Sequence, residues 1–71
     1  MPTPAEKIIA KFDGARSLAH AIGVKPSAVY RWTYPRERGG TGGYVPTAHI
    51  PKIKDAADLL GVVLTAEDWE A

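Results

Sequence analysis

The residues able to do chemistry are mostly cations. Arg16, Lys25, Arg31, Arg36, Arg38, Lys52 and Lys54 stand in residues 16–54 against Glu37 alone, a net +6. Residues 55–71 carry Asp55, Asp58, Glu67, Asp68 and Glu70 and no base, a net −5, while residues 1–15 sum to zero. The overall +1 therefore hides a basic belt beside an acidic tail. Such an asymmetry points to a polyanionic partner, which the belt attracts and the tail orients. Ser27, Tyr30 and Tyr34 add hydroxyl groups inside the belt.

Other chemistries are poorly served. There is no Cys, so neither a disulfide nor a thiolate metal site can form. His20 and His49 lie far apart, without the paired spacing of a structural zinc site. Gly39, Gly40, Gly42 and Gly43 around Thr41 invite a phosphate cradle, but they lack a phosphate loop's Lys-Ser or Lys-Thr ending and follow no strand. A flexible tip is the expectation there. Ser, His and Asp are present without a nucleophile elbow or a concave scaffold. The expectations are no enzyme, no cofactor, no metal and no small-molecule effector.

The chain has 71 residues, which excludes two domains or a doubly wound fold. A chain this short buries only about 60% of its unfolded surface. Tight helix packing or a second copy must supply what Cys and metal do not. No apolar run reaches membrane-spanning length, and the first ten residues show no signal-peptide core. The expectation is a soluble cytoplasmic protein with no membrane partner.

Helices must position the belt. Residues 1–4 read as a tail, punctuated by Pro2 and Pro4. Ile8, Ile9 and Phe12 share a face and predict a helix over 5–12. Asp13-Gly14 breaks it, with Asp13 placed to cap a second helix over 15–22. Leu18, Ala19 and Ile22 form that helix's stripe, and Gly23 closes it. Pro26 suits the first turn of a third helix over 26–34, with Val29 and Trp32 as its apolar face and Pro35 as its end. Residues 33–46 form a loop, long enough to be functional or mobile. A fourth helix is predicted over 51–60 after a possible turn at 47–50. Ile50, Ile53, Ala57 and Leu60 share its face, and Gly61 caps it. Residues 62–64 are apolar and extended. Thr65 and Asp68 have capping-box spacing for a last short turn anchored by Trp69.

The segment ARSLAHAIGVKPSAVYRWTY reads helix, tight turn, helix. Two helices crossing steeply need a small residue at closest approach, a glycine in the turn and apolar residues inside the angle. Ala19, Gly23, and Leu18, Ile22, Val24, Val29 and Trp32 meet those needs in turn. The segment resembles the helix-turn-helix of phage repressor and Cro-type regulators, the lambda-repressor-like DNA-binding fold. The ending VPTAHIPKIKDAADLLGVVLTAEDW looks like small prophage-borne Cro-like regulators. The helix-turn-helix pattern covers residues 15–34, and the flanking helices fit the same plan over 5–70.

The resemblance implies an all-α, compact bundle of about five short helices and a sequence-specific double-stranded DNA-binding repressor, nucleoid-associated and active as a homodimer. The helix over 15–22 then crosses the DNA backbone, with Arg16 and its N-terminal amides facing phosphate. The helix over 26–34 lies in the major groove and exposes Lys25, Ser27, Ala28, Tyr30, Arg31 and Tyr34. Arg31 is the candidate for a bidentate contact to guanine O6 and N7, and Ala28 for a contact to a thymine methyl. Arg36 and Arg38 reach phosphate or the minor groove. The family often carries Gln where Pro26 stands, so its usual base preference does not transfer. Residues 51–60, 62–64 and Trp69 are the candidate self-association surface, and monomer core is their other possible role. Two alternatives remain. One is a protein-interaction module of antitoxin or phage-packaging type. The other is a winged-helix-like protein in which Thr33-Tyr34 pairs with Tyr44-Val45.

Overall fold

The structure is a computed structural model that describes residues 3–70. Four α-helices, α1 (Pro4–Lys11), α2 (Ala15–Ile22), α3 (Pro26–Arg31) and α4 (Ile50–Leu60), are joined by 3₁₀ turns at Arg36–Arg38, Thr47–His49 and Ala66–Trp69. No strand occurs among the described residues, so the fold is mostly helical. Helix α2 sits centrally, in contact with α1, α3 and α4.

Helix α1 begins earlier than the sequence predicts. Thr3 is extended, its hydroxyl accepts the Glu6 N–H at 3.3 Å, and the Glu6 carboxylate accepts the Thr3 N–H at 3.1 Å. This reciprocal capping makes Pro4 the first helical residue and buries it, so residues 3 and 4 belong to the helix start rather than to a tail. The Thr3 N–H also holds the Glu6 carboxyl below its usual range. Asp13 does not cap α2. It occupies the left-handed region at φ +64°, and Gly14 at φ +117° takes the capping position with no side-chain acceptor. The corner consumes Asp13, because the Gly14 N–H must turn back to the Ile9 carbonyl at 2.9 Å.

Helix α3 ends at Arg31, three residues short of the predicted 26–34. The N–H groups of Trp32, Thr33 and Tyr34 bond to the carbonyls three residues back, at 3.1, 3.1 and 3.2 Å. Pro35 bars Tyr34 from the helical region, and the Thr33 hydroxyl takes the Tyr30 carbonyl at 2.7 Å. The chain therefore tightens into turns where the helix was expected to continue.

Ile8, Leu18, Val29 and Ile53 are fully buried, with Phe12, Trp32, Ile22 and five alanines around them. The predicted α4 face is corrected at both ends. Ile53, Ala56 and Ala57 are buried, Ile50 is half-buried, and Leu60 is 63% exposed. The last turn of α4 overhangs the core, leaving Leu59 87% and Val63 74% exposed beside Leu60. Val62, Leu64 and Trp69 pack back against the core. The fifth helix is only a 3₁₀ turn, fastened to α1. The buried Asp68 carboxylate accepts the Thr65 N–H at 2.8 Å and lies 2.6 Å from Lys11 Nζ. Lys11 also donates to the Val63 carbonyl, and Lys7 donates to the Glu67 and Glu70 carbonyls.

Hydrogen bonding from Lys11, the largest cause, holds the Asp68 carboxyl below its ordinary value despite its burial. Asp68→Asn is expected to cost about 1–2 kcal/mol, since Lys11 can turn to water while the Thr65 N–H loses a charged acceptor. For a domain this small that lowers Tm by roughly 5–15 °C. Because the folded carboxyl titrates below the unfolded one, this stabilisation is complete above the unfolded value of about 3.9 and is lost as pH falls through the folded value. Melting curves of both proteins from neutral to acid pH should converge at the acid end. A constant gap across that range would remove Asp68 ionisation as the cause.

Candidate nucleic-acid interface

Helix α3 has two faces. Val29 and Trp32 point into the core, and Ser27, Tyr30 and Arg31 lie at helical spacing on the opposite, exposed side. Lys25 holds the extended position before the helix and is exposed. Tyr34 is exposed just beyond it. Ala28 departs from expectation: it is half-buried, because it sits one position before Val29 at the edge of the packed face.

Tyr30 and Ala15 line one shallow groove with Glu6, so the exposed side of α3 borders the first turn of α2. Arg16 is exposed on that turn. No side chain caps α2, which leaves its first N–H groups free for an outside acceptor. Among the described residues the one ion pair is Lys11 with Asp68. Arg16, Lys25, Arg31, Arg36 and Arg38 are thus exposed cations without carboxylate partners. The C-terminal turn instead engages Lys7 and Lys11, neither of them in the belt.

Residues 35–45 form a strap bonded at both ends, where a flexible tip was expected. The N–H groups of Gly40, Thr41 and Gly42 donate to the carbonyls of Pro35, Arg31 and Tyr34 at 3.2, 3.2 and 2.9 Å. The Gly43 carbonyl accepts the Ala5 N–H at 2.8 Å. The Thr41 hydroxyl lies between the Trp32 carbonyl, at 3.0 Å, and the Tyr44 carbonyl. A Cβ at Gly40 would stand 2.5 Å from the Arg31 oxygen, and one at Gly43 would stand 2.6 Å from Thr3 Cβ. Only glycine permits these approaches.

The strap rules out the winged alternative and leaves no phosphate cradle, as the missing phosphate-loop ending led one to expect. Thr33-Tyr34 does not pair with Tyr44-Val45, because the Tyr34 carbonyl already serves Gly42 and prolines flank the segment. There is therefore no hairpin wing. The amides of Gly39, Gly40 and Gly42, which would cradle a phosphate, are spent on protein carbonyls. Composition could not show this.

His20 is exposed and His49 half-buried. The His49 ring centroid lies 5.4 Å from that of Trp32, and its Nδ1 is buried without a partner. Among the described residues no three His, Cys, Asp or Glu side chains gather at one place, and no helix is long and apolar enough to cross a membrane. An open groove of about 500 Å³ lies between α4 and residues 62–69, floored by Ala57, Val62 and Trp69. No family model matches the chain, and no curated protein or solved structure matches it.

Proposed function

We propose that the chain is a sequence-specific double-stranded DNA-binding transcriptional regulator, a repressor of Cro or prophage type with a lambda-repressor-like fold. The observation that carries this reading is the set of five exposed, unpaired cations on and around the α2–α3 pair. No carboxylate among the described residues pairs with them, and a polyanion supplies the missing counter-charge.

Helix α3 enters the major groove. Arg31 reads guanine through its two parallel donors, while Ser27, Lys25 and Tyr30 contact neighbouring base edges. Arg16 and the uncapped first turn of α2 take phosphate. Tyr34, Arg36 and Arg38 contact the backbone beyond the end of α3. Ala28, half-buried, offers less of its methyl to a thymine than its exposed neighbours offer to the groove.

A helix as short as α3 reads few base pairs, so specificity calls for a second copy on a half-site about 34 Å away. Much of the expected self-association surface is monomer core: Ile53, Ala56 and Ala57 are buried, and Trp69 packs against them. What remains for a second copy is the exposed trio Leu59, Leu60 and Val63. The same trio favours the second reading, a protein-interaction module. The protein would act at the nucleoid, in the cytoplasm, without cofactor or small-molecule effector.

Salt separates the two readings. If the five cations each meet a phosphate, the logarithm of the binding constant falls with a slope of about −4.5 per copy, or roughly 500-fold between 50 and 200 mM salt. A titration against duplex DNA at several salt concentrations measures that slope. Binding that ignores salt, or no binding at micromolar protein, favours the protein-interaction module.

A further inference from the structure

Arg36 and Arg38 do not lie on a helix, yet they are not loosely hung. Their 3₁₀ turn opens at Pro35 and closes where the Gly39 N–H meets the Arg36 carbonyl at 3.0 Å. The strap then folds back across the end of α3. Gly42 passes beneath Arg36, so closely that a Cβ there would touch Arg36 Cγ and Nε at 3.6 Å. Three carbonyls at and just beyond the end of α3, those of Arg31, Trp32 and Tyr34, accept strap donors. One of those donors is a side chain, the Thr41 hydroxyl. It has a single proton and two carbonyls within reach, Trp32 on α3's C-terminal side and Tyr44 on the strap.

The geometry points to Thr41 as a positioning residue that latches the strap to the end of α3, making Arg36 and Arg38 a preset second contact with the DNA backbone. This rests on the DNA-binding reading. Holding the strap in place removes the ordering entropy that a free loop loses when it binds. It also fixes how far the second cation pair stands from Arg31. The phosphates these arginines meet are then set by protein geometry rather than by a search of loop conformations. The absence of carboxylate partners leaves both guanidinium groups available.

The test is the salt slope of binding to sheared, mixed-sequence duplex DNA, because that slope counts phosphates and not the fraction of folded protein. Arg36→Ala and Arg38→Ala are each expected to lower it by about 1. Thr41→Val keeps every cation and nearly the same shape, yet is expected to lower the slope by about 1–2. Thr41→Ser restores the hydroxyl and should restore the slope. A wild-type slope in Thr41→Val, with Arg36→Ala lowered, would overturn the latch while leaving the strap as a contact. Unchanged slopes in both arginine variants would overturn the strap contact and leave the α3 interface standing. No salt-dependent binding by the wild type would overturn both.

If Thr41→Val fails to fold, hydrogen exchange of the wild type decides the matter. The Thr41 and Gly42 amides should be protected well beyond free-loop rates, and exchange at free-loop rates would overturn the latch.

Discussion

Trp32→Ala is expected to remove about a third or more of the protein's folding stability and to lower its melting temperature by more than about 10 °C. Trp32 is 3% exposed and is the largest side chain in the core. Truncating such an indole typically costs about 3–5 kcal/mol. A domain of this length is stable by only about 4–10 kcal/mol, and no disulfide offsets the loss. The indole also packs by His49, so its removal loosens the entry to α4 as well as the end of α3. Trp69 remains as a fluorescent reporter, and far-UV circular dichroism follows the helices. A cooperative melt within a few degrees of the wild type would show that Trp32 does not hold α3 to the core. Trp32→Phe keeps most of the apolar volume and should retain a cooperative transition at a lower temperature.

Arg31→Ala is expected to weaken binding to the cognate site by about 1–3 kcal/mol, or roughly 5- to 150-fold, and to relax one base position. The fold should be untouched, because Arg31 is exposed and forms no ion pair. Its backbone carbonyl accepts from Thr41, a bond that the substitution leaves in place. Arg31→Lys keeps the charge but loses the planar pair of donors. It should therefore retain binding to mixed-sequence DNA while losing discrimination at the same base position. Selection from a randomised duplex library measures both effects. An unchanged base preference in Arg31→Ala would remove this side chain from readout.

The α2–α3 pair was the most legible part of the chain. Leu18, Ala19, Ile22, Val29 and Trp32 are all buried, as their spacing requires, since two helices crossing closely leave little freedom in residue size. The ends of elements were less legible. Thr3 and Glu6 met the capping rule, but the adjacent prolines masked it. Asp13 has a good capping side chain, yet the backbone needed it for the corner. Leu60 keeps the helical period but outruns the core, and periodicity cannot say where the core stops. The strap was the least legible. Glycines suggest freedom, whereas here they allow close approach, and only three-dimensional neighbours distinguish the two. At the candidate interface, the types and order of the cations were visible in the sequence. Their lack of internal partners was not, because Lys7 and Lys11 are spoken for by residues far along the chain.

Those two lysines reach across 52 to 63 positions of sequence, whereas α2 and α3 are joined by a turn of a few residues. Contacts that close short loops form readily, and those that close long ones await the assembly of everything between. The α2–α3 pair is thus expected to form early, and the docking of α1 with the C-terminal turn to close the molecule late. Loss on unfolding runs in the reverse order. Under mild stress or partial proteolysis the contacts between α1 and the C-terminal turn are expected to part first, and the α2–α3 pair to outlast the enclosure that completes it.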